Sequence, residues 1–494
     1  MAELDQNLYS IGKRNVKYTF AEYPSIKIYE KSTGSDWANH LLFGDYIKIV
    51  DTNIVNGRVK AKSRGSEGWV KIDEIRNERI LEVNFVDIGQ GDGCHVVTPD
   101  DKHIIIDAGK GSNMNRYLTW RFNLYNRTTP LSFPFTVIIS HSDSDHYGGF
   151  RDIFDNDKIR VDKVYHNGLV ERPGSKPLGK VDGDNIIGLV NDTNDMLEII
   201  NKTSNRSGDG SYYCSTLHKS LKHNQDIEFI ALSKKDEYIE GYDQTNKVNN
   251  KINSLKILGP IRQIKNQKEG LHTIKKLGKD KNGHSIILKL LYGKARVLLG
   301  GDVNTEFGEI IHKYYKDKGE LDELVVDVAK ACHHGSNHFH YGFVKAINSS
   351  ATVISSGDEE SYSHPRPDTI GALGKCGYGD RPLIFSTELA RSNKEFSIDS
   401  IEKVSKLYNK IQNYNKKIKN ETDPAKLKNY RRYRTNANKD LNSFLTKYGM
   451  INCRTDGKKM ILAQKLEVKA DYGKWDIHKL EFSNSAKRFK RKGL

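Results

Sequence analysis

The stretch His141-Ser-Asp-Ser-Asp-His-Tyr-Gly-Gly149 decides how the rest of the chain is interpreted. It follows an apolar run, Thr136-Val-Ile-Ile-Ser140, that predicts a buried strand, and a helical pattern over 148–154 comes next. Two imidazoles and two carboxylates this close would repel one another or compete for solvation, whereas divalent cations accept both ligand types. One His or Asp at the end of a strand is usually an ordinary turn residue. Four of them on one strand-to-helix loop predict a metal site.

Strands and helices alternate on both sides of this loop, which predicts the α/β class. Helical spacing recurs over 304–317. A strand-turn-strand pattern over 450–457 and 459–464 is expected to complete a sheet. Two polar regions, 170–255 and 401–447, interrupt the alternation, and neither has the composition of a core. The predicted strands are 82–86, 104–106, 135–139, 163–165, 286–290, 295–299, 324–329 and 351–354.

Other acids and imidazoles follow several of these strands. Asp107, Asp302 and the pair His333 and His334 stand directly at strand ends, and His364 follows by a short loop. Sites in open α/β sheets assemble at the carboxyl ends of strands, so we expect these side chains to meet. Taken singly, Asp107 is equally well explained as a turn former and His364 as a loop residue. Together they supply enough ligands for two metals.

The first part of the chain has a different pattern. Short alternating runs broken by Gly, Asn and Ser fill 25–80 and predict a small all-β unit. It ends in Gly65-Ser-Glu-Gly-Trp-Val-Lys-Ile-Asp73, which resembles the closing strand of bacterial SH3-like modules. Such a module would bind a protein partner. A β-hairpin extension packed on the main domain explains the same pattern.

The net charge of +16 comes entirely from the C-terminal part of the chain. Residues 401–494 hold 25 Lys and Arg against 9 Asp and Glu, and the rest of the chain is balanced. Basic residues interleaved with tyrosines are typical of proteins that bind nucleic acid, because cations neutralise phosphates and rings stack on bases. A solvated, lysine-rich helical face has the same composition. Both interpretations stay open.

Length and composition restrict the remaining choices. A chain of 494 residues predicts two or three units. No apolar run is long enough for a membrane span, and the start lacks the pattern of a secretory signal, so we expect a soluble, cytoplasmic protein without membrane contact. The five cysteines have no C-x-x-C pairing, which argues against a disulfide framework or a thiolate zinc site.

The pattern His-x-Asp-x-Asp-His-x-Gly-Gly resembles the metal motif of the metallo-β-lactamase superfamily, in the variant found in the soluble domain of ComEC competence proteins. The likeness covers about 80–396 and extends to further short motifs in the family's order. These are Phe85-Val-Asp-Ile-Gly-Gln-Gly-Asp92, Ile106-Asp-Ala-Gly109, Leu258-Gly-Pro260, Gly300-Gly-Asp302, His333-His-Gly-Ser336 and Ser363-His-Pro365.

The resemblance implies an αββα sandwich, carrying here a small N-terminal SH3-like domain and a basic helical insertion. The implied division is 1–79 for the β module, 80–400 for the catalytic domain with an insertion at about 170–255, 401–447 for the basic helices and 448–494 for the closing strands and tail.

The resemblance also implies two divalent metal ions and a role for each site residue. His141 and Asp143 would hold one ion, Asp145, His146 and His364 the other, and Asp302 would bridge them. Asp107 and Asp87 would orient ligands. His333 or His334 would donate a proton or complete the surroundings of the metals, and Lys330 would neutralise phosphate charge unless it is a surface lysine.

Three departures limit this transfer. Most of the superfamily has His where Asp143 stands, and a carboxylate there softens the preference for zinc and makes manganese or magnesium plausible. The membrane channel of the competence proteins is absent, so DNA uptake is not implied. The third histidine of the superfamily has no clear equivalent, because His284 is better explained as a turn residue.

Three functional classes fit the sequence. A nuclease or phosphodiesterase, active in foreign-DNA defence by analogy, uses both the metal site and the basic region. A small-molecule hydrolase acting on a lactone, a thioester or a cyclic nucleotide has no evident use for that charge. A non-catalytic nucleic-acid-binding protein has no evident use for a full ligand set. We therefore expect the nuclease.

Overall fold

The structure is a computed structural model and describes residues 2–357, 363–387, 398–443 and 450–491. Its described strands form four sheets of eight, ten, four and seven strands, with helices between them along the chain. The predicted α/β class is therefore confirmed.

The eight-stranded sheet is antiparallel throughout and comes from the N-terminal part of the chain. Alternation along its strands buries a separate core that includes Ile28, Leu41, Ile47, Val59 and Val70. The predicted all-β pattern is confirmed. The strands are Ser10–Ile11, Lys17–Ala21, Ser25–Tyr29, Trp37–Leu42, Tyr46–Val55, Arg58–Ser63, Ser66–Lys71 and Ile75–Arg76.

The ten-stranded sheet joins distant parts of the chain. Its C-terminal strands continue the sheet beyond Leu81–Phe85, where Phe85 pairs with Ile451, so the expectation that they complete a sheet is confirmed. The first four strands in the order across the sheet are parallel. That order is Glu228–Ala231, Val161–His166, Phe135–Ile138, His103–Ala108, Gly93–Val97, Leu81–Phe85, Ile451–Thr455, Lys459–Ala470, Gly473–Ser483 and Arg488–Arg491.

The seven-stranded sheet ends in four parallel strands. The strand predicted over 324–329 is shorter and later, at Val328–Lys330, because Leu321–Leu324 forms a 3-10 turn. Across the sheet the strands are Lys247–Val248, Lys251–Gly259, Ile287–Tyr292, Ala295–Leu299, Val328–Lys330, Ala351–Ile354 and Leu383–Ser386. A small sheet beside it contains Lys180–Asp182, Asn185–Ile187, Lys268–His272 and Arg262–Lys265.

The ten- and seven-stranded sheets share one apolar core, in which Val83 and Val96 of the first lie with Leu288 and Val297 of the second. Helices cover the outer face of each sheet in two further cores. The result is a layer order of helix, sheet, sheet and helix. The α-helices are Asn113–Arg121, Ser144–Tyr147, Phe150–Asp155, Thr193–Ile200, Tyr212–Lys219, Leu277–Gly283, Thr305–Asp317, Tyr341–Ile347, Pro367–Cys376, Ile398–Asn420 and Pro424–Ser443.

The expectation that 170–255 contributes nothing to the core is wrong for part of this range. Glu228–Ala231 is an edge strand of the ten-stranded sheet, and Thr193–Ile200 and Tyr212–Lys219 pack on its outer face. Met196 and Tyr213 are fully buried there. Each helix buries only one stripe, so its exposed face and the polar loops dominate the composition and hide the apolar pattern.

The basic region forms two helices, Ile398–Asn420 and Pro424–Ser443, which pack on each other around Ile411 and Leu441. The amide of Asn415 donates to the carbonyl of Tyr125 at 3.1 Å, which attaches this pair to the rest of the chain. Among the described residues, no helix combines the length and the apolar character needed to cross a membrane.

Candidate metal centre

Four buried side chains converge where the parallel strands of the two large sheets end. They are Asp92, His146, Asp302 and His334, and one potential ligand atom of each lies within 4.8 Å of the others. We call this group the metal centre. The loops that carry them follow strands of both sheets, as the strand-end pattern predicted for three of the four. This group could hold a metal ion.

Three ligand atoms of the metal centre form a nearly equilateral triangle. The Nε2 atoms of His146 and His334 are 3.2 Å apart, and Oδ2 of Asp302 lies 3.2 Å from the first and 3.0 Å from the second. Ligands held about 2.0–2.1 Å from a tetrahedral zinc ion are separated by about 3.3 Å. The triangle therefore has the size of one face of such a coordination sphere.

Asp107 fixes the orientation of His146. Its Oδ2 lies 2.8 Å from Nδ1 of His146 and accepts the hydroxyl hydrogen bond of Ser140 at 2.6 Å, while Oδ1 accepts the Ser140 backbone N–H at 2.8 Å. A carboxylate at Nδ1 holds the proton on that nitrogen and leaves Nε2 as a ligand atom. Asp107 thus lies where the resemblance places an orienting residue.

The charges at the metal centre favour a cation. Burial opposes protonation of His334, but Asp302 and Asp92 raise its pKa to about 10. Burial likewise opposes protonation of His146, yet Asp302 and Asp107 hold its pKa well above the ordinary value. A bound metal requires neutral imidazoles and would replace those protons. Among the described residues, nothing donates a hydrogen bond to Oδ1 of Asp302, which is buried.

Lys330 is buried against the metal centre, so the alternative of a surface lysine is wrong. Its ammonium group forms ion pairs with Asp92 and, at 3.6 Å, with Asp302, and it donates to the carbonyl of Gly301 at 2.9 Å. It neutralises one carboxylate charge there.

Sequence reasoning missed Asp92 as a ligand, although it lies in the quoted motif 85–92. The glycines beside Asp92 are the sequence feature that could have identified it. Gly91 has φ +105°, and a Cβ there would overlap the backbone oxygen of Asp145. The Asp92 N–H donates to that same oxygen at 3.2 Å, and Ser355 donates to the carbonyl of Gly91 at 2.9 Å. Glycine permits a close approach that brings Asp92 to the centre.

His141 and Asp143 lie beside the metal centre rather than in it. The ring of His141 is 4.0 Å from that of His146, and its buried Nε2 is 3.7 Å from Asp143 without forming a hydrogen bond to any described residue. Lys281 forms ion pairs with Asp143 and, at 3.2 Å, with Glu171. The ammonium group of Lys281, which follows Asp143 by 138 positions in the sequence, therefore neutralises its carboxylate.

Asp145, His333 and His364 line the rim. Oδ2 of Asp145 is 3.7 Å from Nε2 of His334, and the rings of His334 and His364 are 6.3 Å apart. His333 points aside, 6.0 Å from the ring of His364, and burial lowers its pKa to about 4. Its imidazole is neutral at neutral pH.

His284 and Asp87 lie outside the metal centre. His284 is buried, and its Nε2 donates to the carbonyl of His272 at 2.6 Å, so leaving it off the ligand set agrees with its contacts. Asp87 accepts the N–H of Gly89 and lines a separate cavity between the eight- and ten-stranded sheets, where no ligand of the metal centre lies.

No protein-family model matches this chain, and no curated protein is similar enough to count as a match.

Proposed function

We propose that this chain is a metal-dependent phosphodiesterase that cleaves nucleic acid, on a fold of the metallo-β-lactamase type. The observation that carries the proposal is the triangle formed by His146, His334 and Asp302. The layer order and the resemblance of 141–149 to the ComEC-type motif support the same assignment. Asp92 completes the first metal position, and His141, Asp143, Asp145 and His364 surround the second.

The donors fit manganese or zinc better than magnesium, because two imidazoles belong to the central group. A divalent cation at such a site activates water and offsets the charge that develops on a phosphate. The rest is supplied by protein side chains. Asp107 keeps Nε2 of His146 directed inward, and Lys330 balances Asp92 in a volume closed to solvent.

His334 belongs to the metal centre, so of these two histidines His333 is the one left for contact with a substrate. We assign His333 a hydrogen bond to the scissile phosphate. Burial lowers its pKa to about 4, which is consistent with a neutral imidazole in that role. Lys281 lies beside His141 and Asp143 and is partly accessible, so it can contact a second phosphate oxygen.

Nucleic acid is the substrate class that the helical pair 398–443 favours. The pair carries 12 Lys and Arg residues against 5 Asp and Glu. Tyr414 stacks on Tyr433, which is 42% exposed, and the guanidinium group of Arg432 lies over the same Tyr433 ring. Exposed rings between cations suit a phosphate backbone with accessible bases.

The eight-stranded sheet supports an SH3-like accessory module. It has its own core, and Trp69, inside the segment that resembles the closing strand of such modules, pairs with Tyr29. We propose that it binds a protein partner.

The test is a cleavage assay on single- and double-stranded DNA and RNA, with manganese, zinc and magnesium compared and a chelator added. Asp302→Asn should lower the rate by roughly a hundredfold or more, because an uncharged amide replaces the carboxylate at one corner of the triangle. Asp322→Asn, an exposed acid in the 3-10 turn Leu321–Leu324, is the matched control and should leave the rate unchanged. Cleavage that survives both the chelator and Asp302→Asn would refute the proposal.

Binding is tested separately on the Asp302→Asn protein. Affinity for DNA or RNA should fall steeply with salt, and replacing Arg431, Arg432 and Arg434 by Gln should make that dependence shallower. If the affinity for nucleic acid does not change with salt concentration, the helical pair is not the nucleic-acid-binding surface.

A further inference from the structure

A lysine lies at the position that the resemblance assigns to a second metal ion. The ammonium group of Lys281 forms an ion pair with Asp143, an expected ligand of that ion, and another with Glu171 at 3.2 Å. All three side chains are largely shielded from solvent, and that of Lys281 is 13% exposed. An ammonium group therefore already supplies positive charge where a second divalent ion would have to bind.

Both carboxylate oxygens of Asp143 are engaged by neighbouring side chains. Oδ1 is the atom that pairs with Lys281. Oδ2 accepts a hydrogen bond at 2.6 Å from the side-chain amide of Asn282, in the orientation that also lets this amide donate to the carbonyl of Gly278 at 3.0 Å. A divalent ion bound to this carboxylate would have to lie beside the ammonium group, which repels it, or displace that group.

The helix that carries Lys281, Leu277–Gly283, is fixed at both ends. Asp280 is buried and accepts two hydrogen bonds, at 2.6 and 3.0 Å, from the loop before the helix. A Cβ on Gly283 would overlap the ring of Phe307, so the end of the helix packs directly on that ring. The backbone therefore holds the lysine close to its two carboxylates.

The metal centre differs from this second position in the ligands that remain. Lys330 pairs with Asp92, but the three ligand atoms of the triangle are left for an ion. At the second position, pairing of Asp143 with Lys281 leaves only His141 of the two expected ligands. Among the residues that the structure describes, no second group of three or more acids, histidines or cysteines brings its ligand atoms within 4.8 Å of one another.

We propose that the metal centre binds one divalent ion and that the ammonium group of Lys281 stands in for a second ion beside Asp143. The inference rests on the proposed function and states the composition of its site, with one ion and one lysine instead of two ions. Because Lys281 is part of the chain, its positive charge remains beside the centre when the ion dissociates.

The number of bound ions tests the inference without any measurement of activity. Full-length protein is stripped with chelator, desalted and titrated with manganese and with zinc, using calorimetry and elemental analysis. The parent should bind one ion per chain. Lys281→Met should bind two, because loss of the ammonium group leaves the carboxylates of Asp143 and Glu171 and the imidazole of His141 around one volume.

Lys279→Met is the matched control. Lys279 belongs to the same helix and is also paired, but its partner is Glu306, away from the centre, so this variant should bind one ion. Lys281→Arg keeps the charge and should bind one ion as well. Circular dichroism of the stripped proteins shows whether each variant is folded. Lys281→Gln removes the charge but keeps a donor for Glu171, and it gives the same readout if Lys281→Met does not fold.

Two ions of similar affinity in the parent would overturn the inference and leave the metal centre intact. A single ion in the folded Lys281→Met and Lys281→Gln proteins would also overturn it, as would a second ion in Lys279→Met. The absence of any bound ion in the parent has a different meaning, because it would refute the metal centre and the proposed function together with this inference.

Discussion

Two clusters of charged side chains lie at opposite ends of the strand Leu81–Phe85 and the loop that follows it. They differ in the sign of the charge that is in excess. One is the metal centre. The other, the arginine cluster, consists of Arg64, Arg121, Arg454, Asp45 and Glu82. Arg454 donates to Asp45 at 2.7 Å, and Arg121 donates to Glu82 at 2.9 Å.

The two clusters differ in which buried atoms lack a hydrogen-bond partner among the described residues. In the arginine cluster these include Nε of Arg454, a donor, and three guanidinium groups outnumber two carboxylates. At the metal centre they include Oδ1 of Asp302, an acceptor. Once the imidazoles of His146 and His334 are neutral, as a bound metal requires, the carboxylates of Asp92, Asp107 and Asp302 outnumber the ammonium group of Lys330 by two. Only the second cluster is short of positive charge, by the amount that one divalent cation supplies. Burial of charge alone does not identify a functional site.

His146→Ala should produce the largest effect, because it removes a corner of the triangle. Bound metal, measured by elemental analysis after desalting, should fall to near zero, with affinity lowered more than about a hundredfold. His284→Ala is the control, since it removes an equally buried imidazole outside the metal centre. Equal metal loss in the two variants would contradict the assignment.

Arg454→Met should lower the free energy of unfolding by about 3–5 kcal/mol, because Asp45 is left buried with fewer cations. Urea unfolding measures the change. The folded variant should keep its metal, in contrast to His146→Ala. Lys479→Met is the control: Lys479 is exposed and lies two strands away in the same sheet, so the change should alter stability little.

Asp107→Asn should weaken metal binding by roughly 10–100-fold without abolishing it, because Nδ1 of His146 loses its carboxylate but Nε2 remains. Competition against a chromophoric chelator measures the affinity. An unchanged affinity would show that Asp107 serves only Ser140.

The smallest effect should be a loss of stability in acid, because the arginine cluster loses its ion pairs as its carboxylates are protonated. Burial opposes the charged forms of Asp45 and Glu82, yet the arginines hold both carboxyl pKa values below their ordinary range. This contribution to stability is complete above the pKa of the unfolded chain, about 4, and is lost as the pH falls through the folded values. Between pH 6 and 3, chelator-treated Arg454→Met should therefore lose less stability than the chelator-treated parent.

Much of the fold could be predicted from the sequence, because the buried strands are short segments rich in apolar residues and bounded by turn residues. The strands Ala295–Leu299 and Ala351–Ile354 match their predicted bounds. Polar composition concealed Thr193–Ile200 and Tyr212–Lys219, which each bury one stripe. The strand Val328–Lys330 was predicted too early, since the apolar run Leu324-Val-Val326 that precedes it looks like the beginning of a strand.

The candidate site could be predicted where ligands directly follow strands. His146, Asp302 and His334 were found in this way, and His364 lies at the rim. Asp92 was missed because one acid in a glycine-rich loop has no periodic signal. The pairing of Lys281 with Asp143 and the burial of Lys330 depend on contacts between distant segments, which local patterns do not contain.

The pairing of Leu81–Phe85 with Ile451–Thr455 has a consequence for synthesis in the cell. One edge of that strand cannot be paired until the ribosome has added residue 451, roughly 370 positions later. Because the loop from 86 to 92 leaves the same strand, we expect it to settle into place only at the end of translation. The metal centre would then be completed only after residue 451 has been added, because Asp92 belongs to that loop.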